Sequence, residues 1–273
     1  METEDELRTV GGYDGRVGYE RSRTESNMKP KTDTATMARK AALVLPTYNE
    51  RENMQALIPA VYALLPELTI YVVDDNSPDG TALAVLELQQ SYPNLRLVRR
   101  AKKDGLGRAY LHGFKEALKD PAVEAIFMMD GDLSHDPAHM PEMLALQSTH
   151  DLVIGSRYIS TGRTLGWELW RRLLSRYGNV YARTILGVPY RDCTSGYNCI
   201  RASLLRSLDF NRLNLSGYAF IMHLKYLLHS AGARTLEIPI TYKNRTVGKS
   251  KISNHIIAEG IIAPWKMLFG RNA

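Results

Sequence analysis

From Ala41 onward, short apolar runs alternate with longer stretches of helical periodicity, and this restricts the chain to a mostly parallel sheet covered by helices. The runs cover residues 41–45, 70–73, 95–98, 125–129 and 152–154, each closed by polar or turn residues. Helical patterns lie between them at 52–65, 81–90, 107–118 and 141–147. Pro59 inside the first of these predicts a kink or an early stop. At 273 residues with 44% hydrophobic side chains, the chain can bury one sizeable α/β core.

In a sheet of this kind, ligands bind beyond the carboxyl ends of the strands. The residues expected there are Thr47-Tyr48-Asn49-Glu50, Asp74-Asp75, Asp130-Gly131-Asp132 and Ser156-Arg157. Asp and Asn also end strands and cap helices, but acidic pairs after two separate strands favour a site. In an extended segment Asp130 and Asp132 point the same way, and the small Gly131 lets a ligand approach. Two hard oxygen donors can hold Mg²⁺ or Mn²⁺ and leave positions for pyrophosphate oxygens. The carboxylates of 74–79 would repel a phosphate and suit a base or ribose better. Residues 46–50 offer an aromatic face and a carboxylate, as a guanine ring with its N–H edge requires.

The net charge of +6 suits a polyanionic partner without choosing one. No basic run or recognition motif points to nucleic acid. No G-x-G-x-x-G follows the first strand, which argues against a dinucleotide oxidoreductase. Cys193 and Cys199 are the only cysteines, too few for a disulfide framework. No apolar run reaches the length of about 20 residues needed to span a bilayer. Residues 1–38 are polar and aperiodic and read as a disordered leader that is not a secretory signal, ahead of a domain at 39–273.

The segments LPTYNERENM (45–54), VVDDNSPDGTA (72–82), GLGRAYLHGF (105–114), MDGDLSHDP (129–137), VIGSRY (153–158), SGY (195–197), GYAF (217–220) and NRTVGKSKI (244–252) resemble the family-2 glycosyltransferases of the GT-A fold. Within them they are most similar to the dolichyl-phosphate mannosyltransferases, also called polyprenol monophosphomannose synthases. The resemblance implies inverting transfer of mannose from GDP-mannose to a polyprenyl phosphate such as dolichyl phosphate. It places Pro46, Tyr48, Glu50, Val73 and Asp75 on the guanosine, and Asp130, Gly131 and Asp132 at the diphosphate and sugar. Asp130 and Asp132 would be catalytic and hold the metal together with Ser134. Arg157, Arg245 and Lys251 would bring positive charge to the phosphates. Two departures stand out: Arg108 replaces the more usual Thr of GLGTAY, and His223 replaces a Glu. A family-2 enzyme using another donor such as UDP-glucose, or a nucleotide-sugar-binding regulator without activity, are the competing readings.

Residues 167–186 form a further helical pattern with Trp and Arg interleaved. Trp167, Trp170, Arg171 and Arg172 are the expected contacts with anionic headgroups, and 252–269 is a second candidate. The expected location is the cytoplasmic face of a membrane, the endoplasmic reticulum in a eukaryote or the plasma membrane in a prokaryote. The chain would be held there by peripheral contact or by separate membrane-spanning subunits.

Overall fold

The computed structural model describes residues 34–213, 217–244 and 254–269. In chain order the elements are α1 (Thr34–Arg39), β1 (Ala41–Thr47), α2 (Arg51–Leu64), β2 (Thr69–Asp74), α3 (Thr81–Gln89), β3 (Leu95–Arg99), α4 (Leu106–Ala117) and β4 (Ala125–Met128). There follow α5 (Met140–Leu146), β5 (Leu152–Ser156), β6 (Arg163–Leu165), α6 (Leu169–Leu186), β7 (Asn198–Arg201) and α7 (Ala202–Ser207). The last are α8 (Gly217–Ser230), β8 (Thr235–Pro239), β9 (Thr241–Lys243) and α9 (Asn254–Phe269).

Seven strands form one sheet in the order β3-β2-β1-β4-β7-β5-β8. All pairings are parallel except those of β7, which runs antiparallel to β4 and β5. A second, two-stranded parallel sheet joins β6 to β9. Both faces of the large sheet are covered, which explains why its strands read as continuous apolar runs. The period-two alternation sorts side chains between two core clusters. Ala42 and Val44 of β1 and Ile126 and Met128 of β4 join one cluster, with α4, α6, α8 and α9 packed on it. Ala41, Leu43, Leu45, Ala125 and Phe127 join the other, beneath α1, α2, α3 and α5.

Two expectations are corrected here. The leader does not extend to residue 38: helix α1 begins at Thr34, and Ala38 is fully buried. Residues 1–33 lie outside the described residues. Pro59 does not stop α2, which runs on to Leu64. The carbonyl that Pro59 frees belongs to Gln55, an exposed residue that water can serve, while Met54, Leu57, Ile58, Val61 and Tyr62 hold the helix to the core.

The chain leaves β1 for β2 and β3 on one side and later returns to lay β4 on the other. The strand order therefore reverses between β1 and β4, and a crevice opens beyond their carboxyl ends.

Candidate active site

The crevice draws its lining from the ends of β1, β2 and β4 and from the start of α4. Pro46, Tyr48, Glu50, Asp75, Asp130, Gly131 and Asp132 all line it, together with Lys103 and Leu106. The loop after β2 is what shapes its nucleotide side. Asn49 N–H donates to Ser77 Oγ, Glu50 N–H to Thr81 Oγ1 and Arg51 N–H to Asp79 Oδ2, at 3.0–3.1 Å. The loop after β2 thus ties down the two residues before α2 and the first N–H group of the helix. Asp74 is fully buried and accepts from Thr47 Oγ1 and from the Ser77 N–H. Of the acidic residues at 74, 75 and 79, Asp75 is the one that lines the crevice. Burial pushes its carboxyl up, and Arg100 opposes this with a 2.7 Å ion pair.

The Asp130-Gly131-Asp132 triplet lies just past β4 rather than in an extended strand. Leu133 follows in the left-handed region at φ 60°, a strained position for a branched side chain. That turn brings the Ser134 N–H within 3.1 Å of Asp132 Oδ1. Asp130 is half-buried and accepts from the Tyr110 hydroxyl at 3.2 Å. Burial, and then the Asp130 charge, push the Tyr110 phenol well above its ordinary range, which keeps it a donor. Gly131 is small for a packing reason as well. A Cβ there would stand 2.8 Å from Met54 Cε and 3.4 Å from Thr47 Cγ2.

The donor set suits a divalent cation that shares its coordination with substrate. Among the described residues no three His, Cys, Asp or Glu side chains converge into a cage. Two carboxylates and a hydroxyl are available, and Mg²⁺ or Mn²⁺ ordinarily keeps positions for water or phosphate oxygens. Ser134 Oγ is buried and has no hydrogen-bond partner among the described residues, as an acceptor awaiting a cation or its water would be.

Several expected residues lie elsewhere. Val73 turns its side chain into the core under α4, where a Cβ on Gly113 would come within 2.9 Å of it, and it is not among the residues that line the crevice. The Arg157 guanidinium is committed to a buried partner. Its Nε and Nη2 donate to the two oxygens of Asp192 at 2.8 and 2.7 Å, and Nη2 also donates to Thr194 Oγ1. Arg245 and Lys251 lie outside the described residues. His223 on α8 is partly buried, and burial followed by the nearby Arg212 charge lowers its pKa to about 4. Arg108 is exposed and pairs with Asp104 at 2.6 Å.

Two of the four side chains expected to meet headgroups are buried instead. Trp167 and Arg171 are both 9% exposed: the Arg171 guanidinium lies 4.3 Å over the Trp167 ring, which meets Tyr242 edge-on. Helix α6 is inside out. Its inward face carries Arg171, Ser175 and Asn179, and the last two bond to Tyr158, Thr194 and the Cys193 N–H. Its outward face shows Leu169, Trp170, Leu173, Leu174, Tyr177 and Val180 to solvent. Neighbouring α9 adds Ile261, Ile262, Trp265 and Phe269, and Tyr181 bridges the helices by bonding Ile261 O and Trp265 Nε1. Among the described residues no helix is long and apolar enough to cross a membrane.

Sequence reasoning missed Lys103 and Arg100, whose only signal was a basic stretch ahead of Gly105. It also missed Asp192, whose partner lies 35 positions away. Gly196, in the loop that Asp192 organises, comes so close that a Cβ on it would stand 3.2 Å from Asp130 Oδ1.

Known proteins match this architecture. Glucosyl-3-phosphoglycerate synthase of Mycobacterium tuberculosis, solved with Mn²⁺, uridine diphosphate and its product, superposes with a TM-score of 0.62 at 20% identity. The match covers 86% of this chain and 82% of that one, and at this identity it establishes the GT-A fold alone. The undecaprenyl-phosphate mannosyltransferase of Micrococcus luteus is 36% identical over 80% of this chain and 90% of its own length. The polyprenol monophosphomannose synthase of Mycolicibacterium smegmatis is 38% identical over 85% and 90%. The dolichol-phosphate mannosyltransferase of Pyrococcus furiosus is 34% identical over 81% of this chain but only 61% of that protein. The model for glycosyl transferase family 2 matches residues 42–209, a span that holds the crevice from Pro46 to Asp132, and the chain belongs to that family.

Proposed function

We propose that this chain transfers mannose from GDP-mannose to the phosphate of a polyprenyl phosphate such as dolichyl phosphate, releasing GDP. The observation that carries the reading is one crevice with two chemistries. Of its lining residues, Tyr48, Glu50 and Asp75 suit a nucleoside, and Asp130 and Asp132 suit a metal-bound diphosphate. The names of relatives 36–38% identical over most of the chain support the same acceptor class.

In the reaction an acceptor phosphate oxygen forms a bond to the anomeric carbon as the bond from that carbon to the GDP diphosphate breaks, with inversion. A phosphate monoester has a second pKa of about 6, so this oxygen is largely anionic near neutrality and needs no general base. His223, whose pKa burial and then the Arg212 charge lower to about 4, is a weak base, which is consistent with that economy. The protein's work is alignment and leaving-group stabilisation. Pro46, Tyr48, Glu50 and Asp75 hold the guanosine. Asp130, Asp132 and Ser134 hold Mg²⁺ or Mn²⁺, which when bound neutralises charge growing on the diphosphate. Arg245 and Lys251 serve the phosphates. Turnover of radiolabelled GDP-mannose with dolichyl phosphate in detergent tests the reading, and preferential turnover of UDP-glucose overturns it.

The acceptor phosphate lies at a bilayer surface, and the exposed faces of α6 and α9 are the proposed contact. Ten large apolar side chains among their described residues are 38–73% exposed, with Arg172, Arg176 and Arg183 exposed among them. Each arginine adds roughly 1 kcal/mol near an anionic leaflet. Replacing Trp170, Leu173 and Tyr177 together by Ser should weaken liposome binding at least about tenfold, since those groups no longer enter the headgroup layer. Transfer to long polyprenyl phosphates should fall more than transfer to short soluble analogues. Equal loss on both would remove these helices from the membrane.

A further inference from the structure

We propose that Lys103 is a specificity-determining residue that reads the O6/N7 edge of the donor's guanine, an inference that rests on GDP-mannose being the donor. The Lys103 ammonium stands 3.9 Å above the centre of the Tyr48 ring, on the nucleoside side of the crevice. The backbone that carries it is pinned at several points. The Arg100 N–H donates to Asp74 O at 2.8 Å, and Arg100 Nη1 to Asp75 Oδ1 at 2.7 Å. On the other side of Lys103, the Asp104 carboxylate accepts from Arg108 at 2.6 Å. Gly105, at φ 89°, then turns the chain into α4. The chain is therefore held at Arg100 and at Asp104, on both sides of Lys103, and Lys103 lies over Tyr48 between these points.

The Tyr48 ring is the one partner of its charge among the described residues. Among the described residues Lys103 makes no ion pair, and its side chain is exposed at the crevice mouth. A base stacking on Tyr48 gains more than an exposed cation–π contact does. It therefore displaces the ammonium from the ring face, and the flexible four-carbon stem carries the charge to the rim of the base. Guanine presents O6 and N7 there as adjacent acceptors, the pair that lysine and arginine read most often. Adenine puts an amino donor in the O6 place, which an ammonium cannot serve, and uracil has no N7. A cation on one side of the ring and the carboxylates Glu50 and Asp75 on the others complement guanine's acceptor and donor edges together.

The test measures equilibrium binding of GDP, 7-deaza-GDP and UDP to the full chain, to Lys103→Met and to Lys103→Arg. The wild type should prefer GDP to both analogues. Lys103→Met should lose about tenfold in GDP affinity, as expected for one charge-assisted hydrogen bond, with UDP affinity changed less than about twofold. It should no longer distinguish GDP from 7-deaza-GDP, whereas Lys103→Arg should restore the distinction. Equal losses on all three nucleotides would assign Lys103 to the diphosphate and overturn the proposal. An unchanged ratio of GDP to 7-deaza-GDP affinity would overturn it as well. A wild type that binds UDP as tightly as GDP removes the donor assignment itself, a failure read from the unmutated protein alone.

Discussion

Asp132→Asn should lower mannosyl transfer about a thousandfold while leaving the fold in place. The carboxylate is 3% exposed, and its Oδ1 accepts the Ser134 N–H, a bond that an amide oxygen can keep. The thermal midpoint should therefore stay within about 2 °C of the wild type. What the amide cannot replace is an anionic oxygen donor for Mg²⁺ or Mn²⁺. A bound divalent cation contributes several kcal/mol to leaving-group stabilisation, and about 1.4 kcal/mol is tenfold in rate. Binding of Mn²⁺ in the presence of GDP, followed by electron paramagnetic resonance, should weaken in parallel. A folded variant with near-normal turnover would end the assignment of Asp132 to the metal.

Strands β1, β4 and β5 were legible because they are buried on both faces, which leaves a short apolar run with a polar end, and the partly buried β2 and edge strand β3 still keep enough apolar residues to read as runs. Residues 41–45, 70–73, 95–98, 125–129 and 152–154 became β1, β2, β3, β4 and β5 with ends shifted by no more than two residues. Strand β7 escaped because its direction depends on a partner choice between β4 and β5 that four residues, Asn198–Arg201, cannot announce. Helix α8 offers no amphipathic stripe, since Ala219, Phe220, Ile221, Met222 and Leu224–Leu228 apart from Lys225 are buried apolar residues on every side. Lys225 itself is buried and donates to Asp192 O at 2.8 Å.

Side-chain facing was harder to read than element type. Interleaved Trp and Arg at helical spacing mark an interfacial helix but do not say which stripe faces in. Trp167 precedes α6 and packs under the Arg171 guanidinium, and the stripe of Arg171, Ser175 and Asn179 turned inward because Ser175 and Asn179 find buried partners. The partner of Arg157 was hidden for a related reason. Arg157 follows β5 at the carboxyl edge, where an arginine suggests a phosphate, yet the polar group that claims it comes from a loop far along the chain.

That loop gives the second large effect: Asp192→Asn should destabilise the fold by about 3–5 kcal/mol, because it leaves the Arg157 charge buried without a counter-charge. Asp192 is fully buried and accepts from Arg157 N, Nε and Nη2 and from the Thr194 and Ser195 N–H groups. Burial alone would raise its carboxyl, but the Arg157 charge and hydrogen bonds outweigh burial and hold it at about 2. A group depressed in the folded state stabilises it above the unfolded value of about 3.9, and that stability is lost as pH falls toward the folded value. Urea denaturation should therefore show a wide gap between wild type and variant at about pH 6. The part of that gap due to titration should fall to about half near pH 3. Activity should fall as well, because the same carboxylate fixes the loop that sets Gly196 against Asp130. Asp192 is in this sense a positioning residue. A variant as stable as the wild type at about pH 6, or a gap that does not narrow on acidification, would show that the buried pair does not hold this loop.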